Sequence, residues 1–223
     1  IVVVDKPAGL LSVPFDYGDK DTLVDRVRAL LRRKSEQKNP ELGVVQRLDK
    51  DTTGVMLFTR TLAAKRHMQA LFRTHDIERS YVAIAHGEVR AASFDTLLVR
   101  DRGDGLRGSH GVFRRPKGPP PKDAQRAITH VRPLAALEGA TLVECRIDTG
   151  RQHQIRIHLS EAGHPIVGEA VYVRDFQGPR IAADRPMLHA RSLGFSHPQR
   201  GEHVHFSAEP PADFQAMLAR LTP

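Results

Sequence analysis

Two eight-residue runs constrain the fold more than anything else in this chain: Arg79–His86 (RSYVAIAH) and Thr141–Asp148 (TLVECRID) both alternate with a period of two. That period puts successive side chains on opposite faces of an extended backbone. Tyr81, Ala83 and Ala85 share one face of the first run and Val82 and Ile84 the other; Val143, Cys145 and Ile147 face inward in the second. Ile1–Val4 reads as a buried strand stopped by the Lys6-Pro7-Ala8-Gly9 turn, and Gly54–Thr59 as another strand. Helical spacing appears elsewhere. Asp21–Arg33 repeats Leu23, Val24, Val27, Leu30 and Leu31, with Asp21 as its N-cap. Thr61 caps a helix with a stripe of Ala64, Met68, Leu71 and Phe72, and Pro211–Leu221 closes the chain with Phe214, Met217, Leu218 and Leu221 on one face. Arg151–Ala162 fits both periods, and Gly163 with Pro165 behind it favours a helix. Strands and helices mix without regular βαβ alternation. The fold class is therefore α+β, with a mixed, mostly antiparallel sheet flanked by helices.

Arg100–Arg126 departs from this pattern. It is rich in Gly, Pro, Arg and Lys, and it reads as a long, basic, mobile loop between two halves. Charge points the same way: 34 Lys and Arg against 26 Asp and Glu leave +8 among 223 residues, which favours a polyanionic partner. No apolar run is long enough to span a bilayer. The single cysteine, Cys145, excludes an internal disulfide and a cysteine-built zinc site and suits a reducing compartment. Ile1–Val4 lacks the features of a signal peptide, and the missing initiator Met suggests a trimmed chain.

Three stretches carry candidate chemistry. Gln46–Gly54 (QRLDKDTTG) packs two carboxylates, two cations and two hydroxyls before an apolar strand; it suits a catalytic loop or a tight turn that satisfies its own backbone. Thr149–His158 (TGRQHQIRIH), if helical, places His153 with Arg156 and Gln154 with His158, as on a helix lining a cleft or an ordinary amphipathic one. Tyr81 is either core or a stacking surface for a base. Two patterns mislead. Gly103, Gly105 and Gly108 spell G-x-G-x-x-G, but no helix follows as a dinucleotide site requires. His203 with His205, and His153 with His158, lack the H-E-x-x-H pattern and acidic partners of a metal site.

Taken in order, these stretches resemble the RluA-type pseudouridine synthases. Val3–Pro14 (VVDKPAGLLSVP) is similar to the family's opening. Arg47-Leu48-Asp49 with Thr52-Thr53-Gly54 resembles its catalytic motif, HRLDxxTSG. Arg79–Ala83 is similar to its tyrosine motif, and Thr149–His158 with Gly163–Ile166 to its basic motif. Leu188-His189-Ala190 and His197-Pro198 match its closing pattern. Gln46 stands where the family has His and Thr53 where it has Ser. The family's small N-terminal RNA-binding domain is not in this chain.

The resemblance implies one catalytic domain over residues 1–223, a two-lobed fold with a central cleft, and isomerisation of uridine to pseudouridine in rRNA or tRNA. It implies no cofactor and no metal, a cytoplasmic monomer, and a target base flipped from its stack. Asp49 is the essential carboxylate, acting as a nucleophile or assisting loss of the base. Arg156 matches the basic residue that pairs with it; a guanidinium stays charged and binds a carboxylate bidentately. Tyr81 stacks on the uracil. Arg47, Leu48, Thr52, Gly54, Arg151, His153, Gln154 and Leu188 are implied substrate contacts. Phosphate contacts are sought at Lys65, Arg66 and Arg73 and at Arg114, Arg115, Lys117 and Lys122. Competing readings are an inactive RNA-binding protein on the same fold and a metal-dependent phosphodiesterase using the histidines.

Overall fold

A computed structural model describes residues 1–34, 40–112 and 118–223. These hold ten strands and four helices in two compact units, one comprising Ile1–Arg79 and His189–Pro210, the other Ser80–Leu188 and Pro211–Pro223.

In the first unit, β3 (Thr53–Thr59) is buried at every position. A short run apolar on both faces suits a strand with neighbours on both edges. On one edge lies β1 (Val2–Lys6), antiparallel, with Val3 opposite Leu57 and Lys6 opposite Gly54. On the other lie β2 (Gly43–Val44), antiparallel, and β9 (Leu188–Ser196), parallel, with Thr53 opposite His189 and Gly54 opposite Ala190. Gly54 sits at φ +110°, and a Cβ there would collide with the Ala190 backbone. Glycine alone allows this approach. β10 (His203–Ser207) extends β9 antiparallel. The helix α2 (Leu62–Thr74) packs Met68 against Val55, Leu57, Ile77, Leu193 and Phe195. Thr61 caps it as expected, its side chain accepting from Ala64 N–H at 3.1 Å.

The second unit is an antiparallel sheet in the order β4 (Glu78–His86), β8 (Ala140–Ile147), β7 (Gln125–Leu137), β5 (Ala92–Val99) and β6 (Gly108–Ser109). The two alternating runs pair directly, with Tyr81 opposite Cys145. Cys145 is a core residue, its thiol pushed up to about 12 by burial and then by Glu144. Two helices belong here, α3 (Gln154–Glu161) and α4 (Ala212–Leu221). Gly163, at φ +85°, stops α3 as its position in the sequence predicts.

Three expectations need correction. Asp21 is not the cap of α1 (Leu23–Lys34): it lies at φ +59° and pairs with Arg26 at 2.6 Å. Thr22 takes the capping role, its N–H and hydroxyl both donating to Asp25 Oδ2 while its carbonyl accepts from Asp25 and Arg26. The N-terminal strand is half-buried rather than buried, and it runs on to Lys6. The 100–126 segment is not one loop. Its start folds down around Arg102, whose buried side chain pairs with Asp104 and Asp175, with Glu161 of α3 nearby. Its end, from Gln125, is already strand β7. Asp101 Oδ1 accepts from Gly103 N–H at 2.7 Å and Gly105 N–H at 2.9 Å, so these glycine amides serve a turn and leave nothing for a nucleotide phosphate. Arg114, Arg115 and Lys117 lie outside the described residues; Lys122 is exposed.

Candidate active site

In the first unit, the Asp49 loop is built from below by groups that the sequence scatters. Lys6 is fully buried, yet its ammonium has three acceptors: the carbonyls of Lys50 at 2.7 Å, Thr52 at 2.9 Å and Pro7 at 2.9 Å. An ammonium in a dry site is tolerable only when its donors are used. Ser12 grips the residue before Asp49 from both sides: its hydroxyl donates to the Leu48 carbonyl at 2.7 Å and accepts from Leu48 N–H at 3.1 Å. The loop closes on itself through Thr52 N–H to the Asp49 carbonyl at 3.1 Å. Behind it, fully buried His189 donates from Nε2 to the Ala208 carbonyl at 2.9 Å. A neutral ring then accepts at Nδ1, and the partner there is the Thr53 hydroxyl at 2.8 Å. Asp49 is half-buried, Arg47 exposed, and Leu48 and Thr52 buried. Gln46 has its amide nitrogen enclosed without a hydrogen-bond acceptor.

The second unit holds Tyr81, buried in the middle of β4, and the residues of the basic motif. The expected pairing of faces on α3 holds. His153 and Arg156 converge on Tyr172: His153 Nδ1 meets its hydroxyl at 2.7 Å, and the Arg156 guanidinium lies over its ring at 5.4 Å. His153 reaches this position from a left-handed backbone at φ +58°. Gln154 and His158 converge on the Thr129 hydroxyl, both at 2.9 Å. The Gln154 carbonyl oxygen also accepts from the Thr149 hydroxyl and Arg151 N–H, and its nitrogen donates to the Ile128 carbonyl. All four hydrogen-bonding places of that amide are taken inside the unit, so Gln154 holds the Thr149–His153 turn against β7. Arg151 donates to the Arg126 carbonyl at 3.0 Å. His158 is held down to about 4 by burial, and it spans the Thr129 and Thr96 hydroxyls. Leu188 is buried at the start of β9.

Arg156 is gripped by Glu169, Nε to Oε2 at 2.6 Å and a terminal nitrogen to Oε1 at 2.8 Å, a two-pronged fit that fixes the guanidinium plane. The Glu169 side chain is fully buried. Burial alone would raise its carboxyl, but Arg156 and the Val171 and Tyr172 amides outweigh burial and hold it below the usual carboxylate range. A carboxyl held low in the folded state stabilises the fold above its ordinary range, and that contribution disappears as pH falls through the folded value. Glu169→Gln should therefore cost about 3 kcal/mol near neutral pH. Its gap to wild type should narrow as the medium is acidified. Denaturant melts across that range test this, and a gap independent of pH would contradict it.

Lys6, Ser12, Glu169, Tyr172 and His189 complete these two clusters, and sequence reasoning assigned none of them a site role. His189 was visible inside the Leu188-His189-Ala190 match, and Lys6 as a charge at the end of an apolar strand. Nothing near Glu169 marks it. Among the described residues, no three His, Cys, Asp or Glu side chains gather into a set that could hold a metal ion.

Comparison with known proteins bears on the chemistry. Residues 1–161 match the RNA pseudouridylate synthase family. Ribosomal large subunit pseudouridine synthase D of Xanthomonas campestris pv. campestris is 35% identical over 232 residues, covering 99% of this chain and 66% of that protein. Its counterpart in Zymomonas mobilis is 35% identical over 232 residues, covering 99% of this chain and 70% of that one. The solved structure of human RNA pseudouridylate synthase domain containing 4 superposes with a TM-score of 0.77 at 27% identity, covering 98% of this chain and 88% of its own. With a family match over residues 1–161 and such relatives over nearly its whole length, the chain belongs to the RNA pseudouridylate synthase family.

Proposed function

We propose that this protein isomerises uridine to pseudouridine in large-subunit ribosomal RNA, with Asp49 as its essential carboxylate. The observation that carries the reading is the construction of the Asp49 loop. Buried groups from Lys6, Ser12 and the Thr53–His189 pair converge under one short segment and fix its backbone. So much buried polar support under a half-exposed acid is what holding a reacting group in place demands. The ribosomal substrate is suggested by the names of the two bacterial relatives.

In the reaction the bond from C1′ of the ribose to N1 of the base breaks. The base turns, and a bond forms from C1′ to C5. The hydrogen on C5 leaves as a proton and N1 takes one up, so atoms balance without a redox partner. Asp49 acts at the sugar or the base. Tyr81 lies against the uracil, and Arg156, its plane set by Glu169, supplies positive charge. Arg47, Leu48, Thr52, Gly54, Arg151, His153 and Leu188 are substrate contacts, with Gln154 acting through the turn it holds. We assign residues 1–223 to one catalytic domain, active as a cytoplasmic monomer on a base flipped out of its stack.

The test is tritium release from RNA labelled at uracil C5, with chelator present throughout. Release from 23S-type ribosomal RNA, with transfer RNA inert, is the expected result. Release from transfer RNA alone would overturn the substrate, and release from neither the whole reading.

A further inference from the structure

Among the described residues, two aromatic rings are exposed: Phe15 at 84% and Tyr17 at 108% relative accessibility. The chain has 9 Phe and 3 Tyr, and the other described rings are buried or half-buried. A lone exposed ring is ordinary. This pair differs in how it is held and where.

The turn that carries it is closed by its own hydrogen bonds. Asp19 Oδ2 accepts from Phe15 N–H and Asp16 N–H, both at 2.8 Å. Asp19 N–H returns a bond to the Asp16 carbonyl at 3.1 Å, and Asp16 Oδ1 accepts from Tyr17 N–H at 2.9 Å. The two carboxylates are thus occupied with backbone amides, and the rings stand outside the turn instead of collapsing onto it. The turn is also anchored to the candidate site. Ser12, whose hydroxyl grips Leu48 next to Asp49, precedes Phe15 by three residues. Three residues span at most about 11 Å. The rings therefore lie within a few nucleotides' reach of Asp49, on a chain of net charge +8.

We propose that Phe15 and Tyr17 are a stacking platform for unpaired RNA bases flanking the target uridine. Exposed aromatic faces suit this ligand because every base offers a flat π surface, and stacking on it requires a base free of its duplex. The surface therefore favours single-stranded RNA and tolerates any sequence. The choice of RNA as occupant rests on the synthase reading.

The chain has no tryptophan, so Phe15→Trp introduces a single reporter. Its emission should be quenched by an oligouridine dodecamer and not by a blunt RNA duplex of the same length. The double variant Phe15→Ala/Tyr17→Ala should bind the oligouridine about tenfold more weakly or worse. Its thermal midpoint should match wild type, since the rings bury little. Equal quenching by the duplex, or double-variant affinity within twofold of wild type, would overturn the proposal and leave the rings to a protein partner. Failure of the synthase reading shows separately, as absence of tritium release by the wild-type protein, because oligouridine binding is read without turnover.

Discussion

Asp49→Asn should lower pseudouridine formation at least about a thousandfold, equivalent to about 4 kcal/mol of barrier, while RNA affinity barely moves. Asparagine has the same size and can keep the loop closed, because bonds through the Asp49, Lys50 and Thr52 backbone fix the loop. It carries no charge and is a poor nucleophile and a poor base. The loss should thus fall on the chemical step. Single-turnover tritium release alongside filter binding separates the two effects. Wild-type rates from the Asn variant would remove Asp49 from the mechanism. An equal fall in affinity and rate would instead make it a binding group. Asp49→Glu keeps the charge but moves it by one methylene, and it should lose about a hundredfold, the usual result of misplacing a reacting group by an ångström.

Lys6→Met should destabilise the fold by about 3–4 kcal/mol and lower turnover by more than the fraction unfolded explains. Methionine fills much of the lysine's volume, so the change is mainly the loss of three hydrogen bonds. The Thr52 carbonyl is out of reach of water once Lys6 is gone; the Lys50 and Pro7 carbonyls are less enclosed. An unmet buried acceptor carries its full desolvation cost, which sets the magnitude. The freed 50–52 backbone also loosens Asp49. Urea melts give the stability change, and turnover measured well below the variant's midpoint gives the second. Unchanged turnover in a destabilised variant would show that the loop's geometry does not depend on this ammonium.

The sequence showed what is local and concealed what is made by contacts far along the chain. α3 was legible because Gly163 stops it, and β4 and β8 because alternation survives burial. Thr61 was found because its partner, Ala64, is three residues away. The cap of α1 was missed by one residue: Asp21 and Thr22 are both good caps, and only the left-handed backbone at Asp21 decides between them. The opening of the 100–126 segment looked unstructured because glycine and arginine are usual in loops, but Arg102 there finds carboxylates at 104, 161 and 175. The same distance hid the support of the site. Lys6 meets Lys50 and Thr52 more than 40 residues on, and Thr53 meets His189 across 136. No periodicity records such pairings. Only the resemblance to a family pointed to Asp49, Tyr81 and Arg156 together.

The parallel pairing of β3 with β9 also sets a timetable. β3 lies within the first sixty residues, but its partner edge, its glycine contact and the histidine behind Thr53 arrive only with residues 189 and 190. During synthesis, the segment bearing Asp49 waits for about 136 further residues before its neighbour exists. Pairing across such a separation is slow to form, and until it forms the edge of β3 is open to other strands. A nascent chain stalled before β9 would therefore expose an apolar strand with no closed catalytic loop above it. Competence would arrive only once residues 189 and 190 have left the ribosome.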